Sequence, residues 1–141
     1  MIALDTNVLS ELMQVDTDES VIAWLDRCPP ESVWTTSVCV FEVRHGLVAL
    51  APGRRRRALE RAFDDVLDRV LDGRVLDFDR AAAFEAARIA IDMKSRGFGI
   101  DVRDLQIAAT AGARRATLVT RNVRHFAETG IELVDPWTAS P

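Results

Sequence analysis

The sequence predicts an α/β fold in which a central parallel β-sheet is flanked by helices. Short apolar segments rich in Val, Ile and Leu alternate with longer segments whose apolar residues recur at helical spacing. Alternation of this kind is typical of a parallel sheet with right-handed crossover connections. The length of 141 residues suits a single domain, and the chain contains no internal repeat. We therefore expect one domain over residues 1–141, with a tail formed by the last few residues.

The first half of the chain is predicted to form two strands and four helices. The apolar run Ile2-Ala3-Leu4 predicts a buried strand, and Asp5-Thr6-Asn7 after it is typical of a helix cap. Arg54–Arg57 begins an amphipathic helix that ends at Gly73; its apolar face contains Leu59, Phe63, Val66, Leu67, Val70 and Leu71. The other expected elements are helices at 8–13 and 20–26, a strand at 33–36, and a helix from 36 or 37 to 50.

Three further strands and three helices are expected in the second half. Asp79 is predicted to cap an alanine-rich helix that ends at Ser95. The expected strands are residues 75–78, 117–120 and 131–134, and the other expected helices are residues 102–114 and 122–128. The alternation of strands and helices therefore continues to the end of the chain.

The composition restricts the possible classes of function. The chain is 48% hydrophobic and 28% charged, which is typical of a globular protein. Its net charge of −4 gives no overall attraction for nucleic acid, so such a partner requires a local basic patch or a bound metal ion. Cys28 and Cys39 lack metal-ligand spacing and suggest two buried thiols in a reducing compartment. Without a signal peptide or an apolar stretch of roughly 18 residues, we expect a soluble cytoplasmic protein that does not associate with membranes.

Three acidic residues lie where the sequence predicts poor solvation. Asp5 ends the first strand, Glu42 interrupts the apolar segment Val38–Val43, and Asp104 begins a helix of small and aliphatic residues. Burial of an ionised carboxylate is unfavourable unless the carboxylate is paired or binds a metal ion. Mg²⁺ prefers oxygen ligands, and a Mg²⁺ site activates water and stabilises charge on a phosphodiester during in-line attack. Together the three acids indicate a metal site.

Each acid also has a purely structural explanation. Asp5 is equally consistent with a helix cap, and Asp104 alone is explained by its favourable interaction with the helix dipole. Glu42 is consistent with an ion pair to Arg44 or Arg103 as well as with a functional role. A metal site is favoured only because all three acids occur together.

Four short motifs contain or adjoin these positions. They are Leu4-Asp5-Thr6-Asn7, Phe41-Glu42-Val43-Arg44-His45-Gly46, Asp104-Leu105-Gln106-Ile107-Ala108-Ala109 and Thr120-Arg121-Asn122-Val123-Arg124-His125-Phe126. In this order and at this spacing they resemble the motifs of PIN-domain ribonucleases. The resemblance is closest to the VapC-type (FitB-like) toxins of type II toxin–antitoxin pairs, and it extends from Met1 to Trp137.

The resemblance implies a PIN-like three-layer fold with the strand order 3-2-1-4-5. In that order the first and fourth strands are neighbours, and their crossover connections leave in opposite directions. Open α/β sheets bind their ligands at such a switch point, beyond the carboxyl ends of the strands. The implied order therefore places Asp5 beside Thr120-Arg121-Asn122 at the expected ligand site.

The resemblance also implies roles for individual residues. Asp5, Glu42 and Asp104 match the catalytic acids that bind Mg²⁺ or Mn²⁺ and orient the attacking water. The matching polar positions that support the site are Thr6, Asn7 and Thr120. The family often has a fourth acid after the fourth strand, where this chain has Asn122 and His125. We therefore expect one metal ion rather than two, with Asn122 as an uncharged, weak ligand.

Several basic and aromatic residues are candidates for contact with a partner. Arg121 and Arg124 lie close to the implied cleft and are the best candidates for contact with RNA. The run Arg54–Arg57 is consistent with a solvated charged turn or with a phosphate-binding patch. Trp137, like the other two tryptophans, is predicted to anchor the core or an interface.

These features predict a metal-dependent endoribonuclease. The resemblance implies that it cleaves tRNA or another structured RNA and leaves 5′-phosphate and 3′-hydroxyl ends. The resemblance further implies a homodimer that is neutralised by a cognate antitoxin occupying the cleft. A phosphoacceptor receiver domain is disfavoured, because no second acid follows Asp5 and residues 117–122 contain no Lys. The remaining alternative, favoured by the missing fourth acid, is a degenerate PIN domain that binds RNA or protein without catalysis.

Overall fold

A computed structural model describes residues 1–139, which form a five-stranded sheet flanked by helices. The strands are β1 (Ile2–Leu4), β2 (Val33–Thr36), β3 (Val75–Leu76), β4 (Thr117–Val119) and β5 (Leu133–Val134). Their order is β3-β2-β1-β4-β5, and every neighbouring pair is parallel. This arrangement confirms the predicted α/β fold and its strand order. Ser140 and Pro141, which belong to the predicted tail, lie outside the described residues.

Seven α-helices of the described segment join the strands. They are α1 (Thr6–Leu12), α2 (Glu19–Asp26), α3 (Ser37–Val48), α4 (Arg54–Asp65), α5 (Arg80–Ser95), α6 (Val102–Ala113) and α7 (Val123–Phe126). A 3₁₀ turn at Pro30–Ser32 precedes β2, and a π-helical segment at Val66–Val70 continues α4. Within residues 1–139, none of these helices is long and apolar enough to cross a membrane.

Most elements differ by one or two residues at their ends from the sequence prediction, and α1, β3 and β5 are examples. α1 begins at Thr6 rather than at residue 8, because the Asp5 carboxylate accepts a hydrogen bond from the Thr6 backbone N and caps the helix. β3 and β5 are shorter than predicted, with 2 residues each. Both lie at the edges of the sheet and have a single strand neighbour, so less of each apolar segment is held in an extended conformation.

The amphipathic helix predicted to reach Gly73 changes its geometry after α4. The backbone N of Leu71 donates to the carbonyl O of Val66 at 3.0 Å, which is the wider hydrogen bond of a π-helix. Val66 and Leu71 are both buried, so the wider turn keeps both side chains on the core. Gly73 has a φ of 70° and follows this turn in a conformation that glycine adopts without strain.

The carboxyl ends of β1 and β4 lie side by side at the centre of the sheet. Ala3 and Leu4 of β1, together with Leu118 and Val119 of β4, are completely buried. The backbone N of Asp5 donates to the carbonyl O of Val119 at 2.9 Å, so the pairing continues one residue beyond β1. The core therefore fixes Asp5 at the switch point of the sheet.

Candidate functional site

Asp5 lies at the junction of β1 and α1 and is 4% exposed. Its Oδ1 accepts a hydrogen bond from the Thr6 backbone N at 2.8 Å, and its Oδ2 accepts one from the Thr120 hydroxyl at 2.7 Å. Burial raises the pKa of Asp5, and the hydrogen bonds from Thr120 and Thr6 partly oppose that shift. Capping of α1 uses only one carboxylate oxygen, so the helix-cap explanation leaves the contact with Thr120 unexplained.

Polar side chains from α1 and from the segment after β4 hold Asp5 in place. The Asn7 amide donates to Thr120 Oγ1 at 3.2 Å and to Asp5 Oδ2 at 3.4 Å, and its Oδ1 accepts from the Arg121 backbone N at 3.1 Å. The Thr120 hydroxyl oxygen also accepts from the Asn122 backbone N at 3.0 Å. These bonds connect two segments that are more than 100 residues apart in the chain. The polar positions predicted to support the site therefore share one hydrogen-bond network with Asp5.

Glu42 reaches the same site from α3. Its Oε1 accepts a hydrogen bond from the Thr6 hydroxyl at 2.6 Å. Its Oε2 lies 3.8 Å from Arg103 Nη1, so one of the two ion pairs considered for Glu42 is formed. The other is not, since Arg44 pairs with Glu60. The Glu42 side chain is 22% exposed, which leaves it accessible to a small ligand.

Cys39 is a component of the site that the sequence analysis did not identify. Its thiol, completely buried one turn before Glu42, donates to Asp5 Oδ1 at 3.7 Å. Burial, with a smaller contribution from the charge on Asp5, raises the pKa of Cys39 to about 12, so the group stays a thiol at neutral pH. Its position in the first turn after β2 indicates this contact only once β2 is known to be a neighbour of β1.

Asp104 lies in the first turn of α6, and its side chain is 25% exposed. Its Oδ2 lies 3.5 Å from His125 Nδ1 of α7. Burial raises the pKa of Asp104, the neighbouring His125 lowers it, and the charges on Asp5 and Glu42 raise it further. Asp104 is thus close enough to the other two acids to interact with their charges.

The three predicted acids line one open cleft of about 320 Å³. The residues that line it are Asp5, Thr6, Asn7, Glu42, Asp104, Asn122 and His125. Ligand atoms of Asp5, Cys39 and Glu42 lie within 4.8 Å of one another, and Asp104 is not part of that compact group. Because the thiol is protonated, the charged donors are carboxylate oxygens, which are the ligands that Mg²⁺ and Mn²⁺ prefer. The side chains present therefore suit a hard divalent cation.

Arg121 and Arg124, the predicted RNA contacts, do not line the acid cleft. They line a neighbouring cleft of about 310 Å³ that shares Asn122 and His125 with it. The Arg121 guanidinium lies over the ring of Trp137, with its Cζ 4.8 Å from the ring centroid. Trp137 also packs against the main core, as predicted for an anchoring residue.

Known proteins share this fold and sequence over nearly the whole chain. A sequence model of the PIN domain matches residues 2–132. The VapC ribonuclease Y4jK of Sinorhizobium fredii is 36% identical over 137 residues, which cover 97% of this chain and 98% of that relative.

Two solved structures extend the comparison to three dimensions. FitAcB of Neisseria gonorrhoeae matches with a TM-score of 0.85 and 34% identity, covering 99% of this chain and 100% of the other. VapBC-5 of Mycobacterium tuberculosis, a member of the VapBC family of toxin–antitoxin systems, matches with a TM-score of 0.70 and 27% identity, covering 94% of this chain and 96% of the other.

Proposed function

The chain belongs to the PIN-domain family, and we propose that it is a VapC-type endoribonuclease, the toxin of a toxin–antitoxin pair, which cleaves RNA with a bound Mg²⁺ or Mn²⁺ ion. The observation that carries this proposal is the convergence of Asp5, Glu42 and Asp104 on one cleft at the switch point of the sheet. Among residues 1–139, the three carboxylates of the cleft contact one guanidinium, that of Arg103, and one imidazole, that of His125, which leaves negative charge that a divalent cation neutralises.

The three acids would hold the metal ion, each in a different structural setting. When bound, such an ion polarises a phosphoryl oxygen and lowers the pKa of a bound water. Asp5 is held by Thr6 and Thr120, so its orientation is set before substrate arrives. Glu42 and Asp104 are more exposed than Asp5, and we propose that these two side chains orient the attacking water.

The neutral side chains of the site have a supporting role. The hydroxyls of Thr6 and Thr120 donate to Glu42 and Asp5 and thereby fix the orientation of both carboxylates. Asn7 connects this network to the backbone of Arg121. Asn122, which lines the cleft with a side chain that carries no charge, is a weak ligand at most.

The macromolecular partners are proposed from the relatives. The ribonuclease from Sinorhizobium fredii supports RNA as the substrate, and the toxin–antitoxin complex from Mycobacterium tuberculosis supports a cognate antitoxin that inhibits this chain. We infer that the substrate is tRNA or another structured RNA, and that the products carry 5′-phosphate and 3′-hydroxyl ends. The homodimer stays a prediction.

A cleavage assay with a chelator and a matched variant tests this function. Purified protein is incubated with labelled tRNA in Mg²⁺ or Mn²⁺, and EDTA is then added. We expect cleavage that EDTA abolishes and that Asp104→Asn lacks. Asp101→Asn is the control, because Asp101 caps the same helix from outside the cleft and asparagine caps helices equally well.

A binding module without catalysis is the second candidate, and the uncharged Asn122 is the observation that favours it. In that case the protein binds the labelled tRNA, and the RNA stays intact in both metals. Cleavage that persists in Asp104→Asn or in EDTA contradicts both candidates, since it indicates a contaminating or unrelated nuclease activity.

A further inference from the structure

The cleft next to the acids has a composition suited to an anion. Its lining residues are Arg121, Asn122, Val123, Arg124, His125 and Asp135. Two permanent positive charges face one carboxylate there, whereas three carboxylates line the acid cleft. The two clefts are neighbours, because Asn122 and His125 line both of them.

Arg121 is held at both its backbone and its side chain. Its backbone N donates to Asn7 Oδ1 at 3.1 Å, and Asn7 also contacts Asp5 and Thr120. Its guanidinium lies 4.8 Å from the centroid of the Trp137 ring. A stacked guanidinium keeps its N–H groups free at the edge of the plane, and its restricted conformation lowers the entropic cost of binding an anion.

Trp137 is itself a fixed support. It packs against the main core, and its backbone N donates to Asp135 Oδ1 at 2.9 Å. The Asp135 carboxylate, which is the one carboxylate of this cleft, is thereby held in a turn of the backbone. The orientation of Arg121 is therefore determined by the segment that follows β5.

Arg121 and Arg124 also lack internal counter-ions. None of the ion pairs formed among residues 1–139 involves either side chain. Arg103, by contrast, pairs with Glu42. The charges of this cleft are therefore available to an external anion.

We propose that the arginine cleft, formed by Arg121 and Arg124, binds the phosphate of the nucleotide adjacent to the scissile phosphodiester. The planar guanidinium matches the oxygens of a phosphate and forms paired hydrogen bonds with them. The preferred substrate therefore carries phosphates on both sides of one nucleoside. This proposal rests on the ribonuclease function proposed above, since it places the scissile phosphate in the acid cleft.

Titration calorimetry with two small nucleotides tests the proposal without any cleavage step. Adenosine 3′,5′-bisphosphate and adenosine 5′-monophosphate are each titrated into the Mn²⁺-loaded protein. We expect the bisphosphate to bind about fivefold more tightly, which is the gain from one additional exposed charge pair at its upper limit. Arg121→Gln and Arg124→Gln should each reduce this preference to about twofold or less.

Variants of Trp137 separate its support of Arg121 from general damage to the fold. Trp137→Phe keeps an aromatic face and should retain the bisphosphate preference, whereas Trp137→Ala should lose most of it. Arg69→Gln is the matched control, because Arg69 is 83% exposed and lies beside Val33, at the opposite end of the sheet. Thermal unfolding of each variant verifies that the fold is intact.

The outcomes distinguish this proposal from the proposed function. The proposal that the arginine cleft binds a phosphate is overturned if the two nucleotides bind the wild-type protein with equal affinity, or if neither binds. A preference that survives in Arg121→Gln and Arg124→Gln also overturns it. If RNA is cleaved but the bisphosphate has no advantage, only the arginine cleft is wrong. If the advantage is present without metal-dependent cleavage, the arginine cleft binds a phosphate, but the ribonuclease function is wrong and the phosphate in the acid cleft is not a scissile one.

Discussion

Replacement of Asp5 by Asn separates the two roles of this carboxylate, helix cap and metal ligand. Asn retains one carbonyl oxygen for the Thr6 backbone N, but it replaces the oxygen that accepts from the Thr120 hydroxyl at 2.7 Å. Loss of that one hydrogen bond costs about 1–3 kcal/mol when the acceptor is charged. Asp5 is 4% exposed, and removal of its buried negative charge stabilises the folded state, which acts in the opposite direction. The free energy of unfolding at neutral pH should therefore change by less than about 2 kcal/mol.

The pH dependence of stability gives the sign of the charge effect. Burial raises the pKa of Asp5 above its value in the unfolded chain. The folded, metal-free protein therefore binds more protons than the unfolded chain between those two pKa values, and its stability decreases as the pH rises through that range. Asp5→Asn lacks this contribution, so the metal-free wild type should gain stability relative to the variant as the pH is lowered.

Metal binding separates wild type from variant most clearly. A ligand at 100 times its Kd stabilises the folded state by about 2.7 kcal/mol, which corresponds to a rise in Tm of roughly 5–10 °C for a chain of this length. Wild-type protein should show this rise in Mn²⁺ and lose it in EDTA. Asp5→Asn should show a rise of less than about 2 °C and no cleavage of RNA.

The control for the cap is Asp18→Asn, because Asp18 caps α2 through the Ser20 backbone N and lies outside the acid cleft. It should retain the full rise in Tm. If Asp5→Asn keeps the metal-dependent rise in Tm, or cleaves RNA at the wild-type rate in the same Mg²⁺ concentration, Asp5 is only a cap. Unfolding of Asp5→Asn at room temperature would contradict the estimate of stability above.

Three further predictions concern the side chains around Asp5. Thr120→Val should lower the affinity for Mn²⁺ by roughly 10- to 100-fold in calorimetry, because it removes the hydroxyl that orients Asp5, while Thr120→Ser should retain most of the affinity. Arg103→Gln should raise the affinity for Mn²⁺ by roughly two- to fivefold, because the metal ion no longer competes with the ion pair to Glu42; an affinity equal to that of Arg69→Gln would show that this pair has no effect. The affinity of wild-type protein for Mn²⁺ should fall as the pH is lowered, beginning above the ordinary titration range of aspartate, because burial raises the pKa of both Asp5 and Asp104 and protons then compete with the metal; a flat profile would refute this.

The fold could be predicted from the sequence because strand and helix patterns alternate clearly. The strand order, in contrast, followed from the family resemblance, since apolar strands such as Ile2–Leu4 and Thr117–Val119 do not by themselves specify their neighbours. The ends of edge strands and the π-helical turn were missed, because Val66 and Leu71 satisfy a helical pattern in either geometry. Hydrophobic periodicity indicates which face is buried and says little about where hydrogen bonding changes.

The three acids that line the cleft were recognisable in the sequence as candidates because each one occurs in or beside an apolar segment. Cys39 could not, since a buried thiol in an apolar helix has no distinguishing pattern until its neighbour Asp5 is known. Nothing in the chain order pairs His125 with Asp104 or places Arg121 over Trp137. Those contacts depend on distances between elements, which the sequence does not contain.

The separation of the site's components along the chain affects how the protein acquires its chemistry during synthesis. Asp5 is made first, but the hydroxyl that orients it belongs to Thr120, 115 residues later. Until β4 has left the ribosome, β1 has an open edge and Asp5 lacks a partner on that side. A nascent or prematurely terminated chain that ends before β4 therefore has no ordered acid cleft, and the nuclease becomes competent only after β4 has been made.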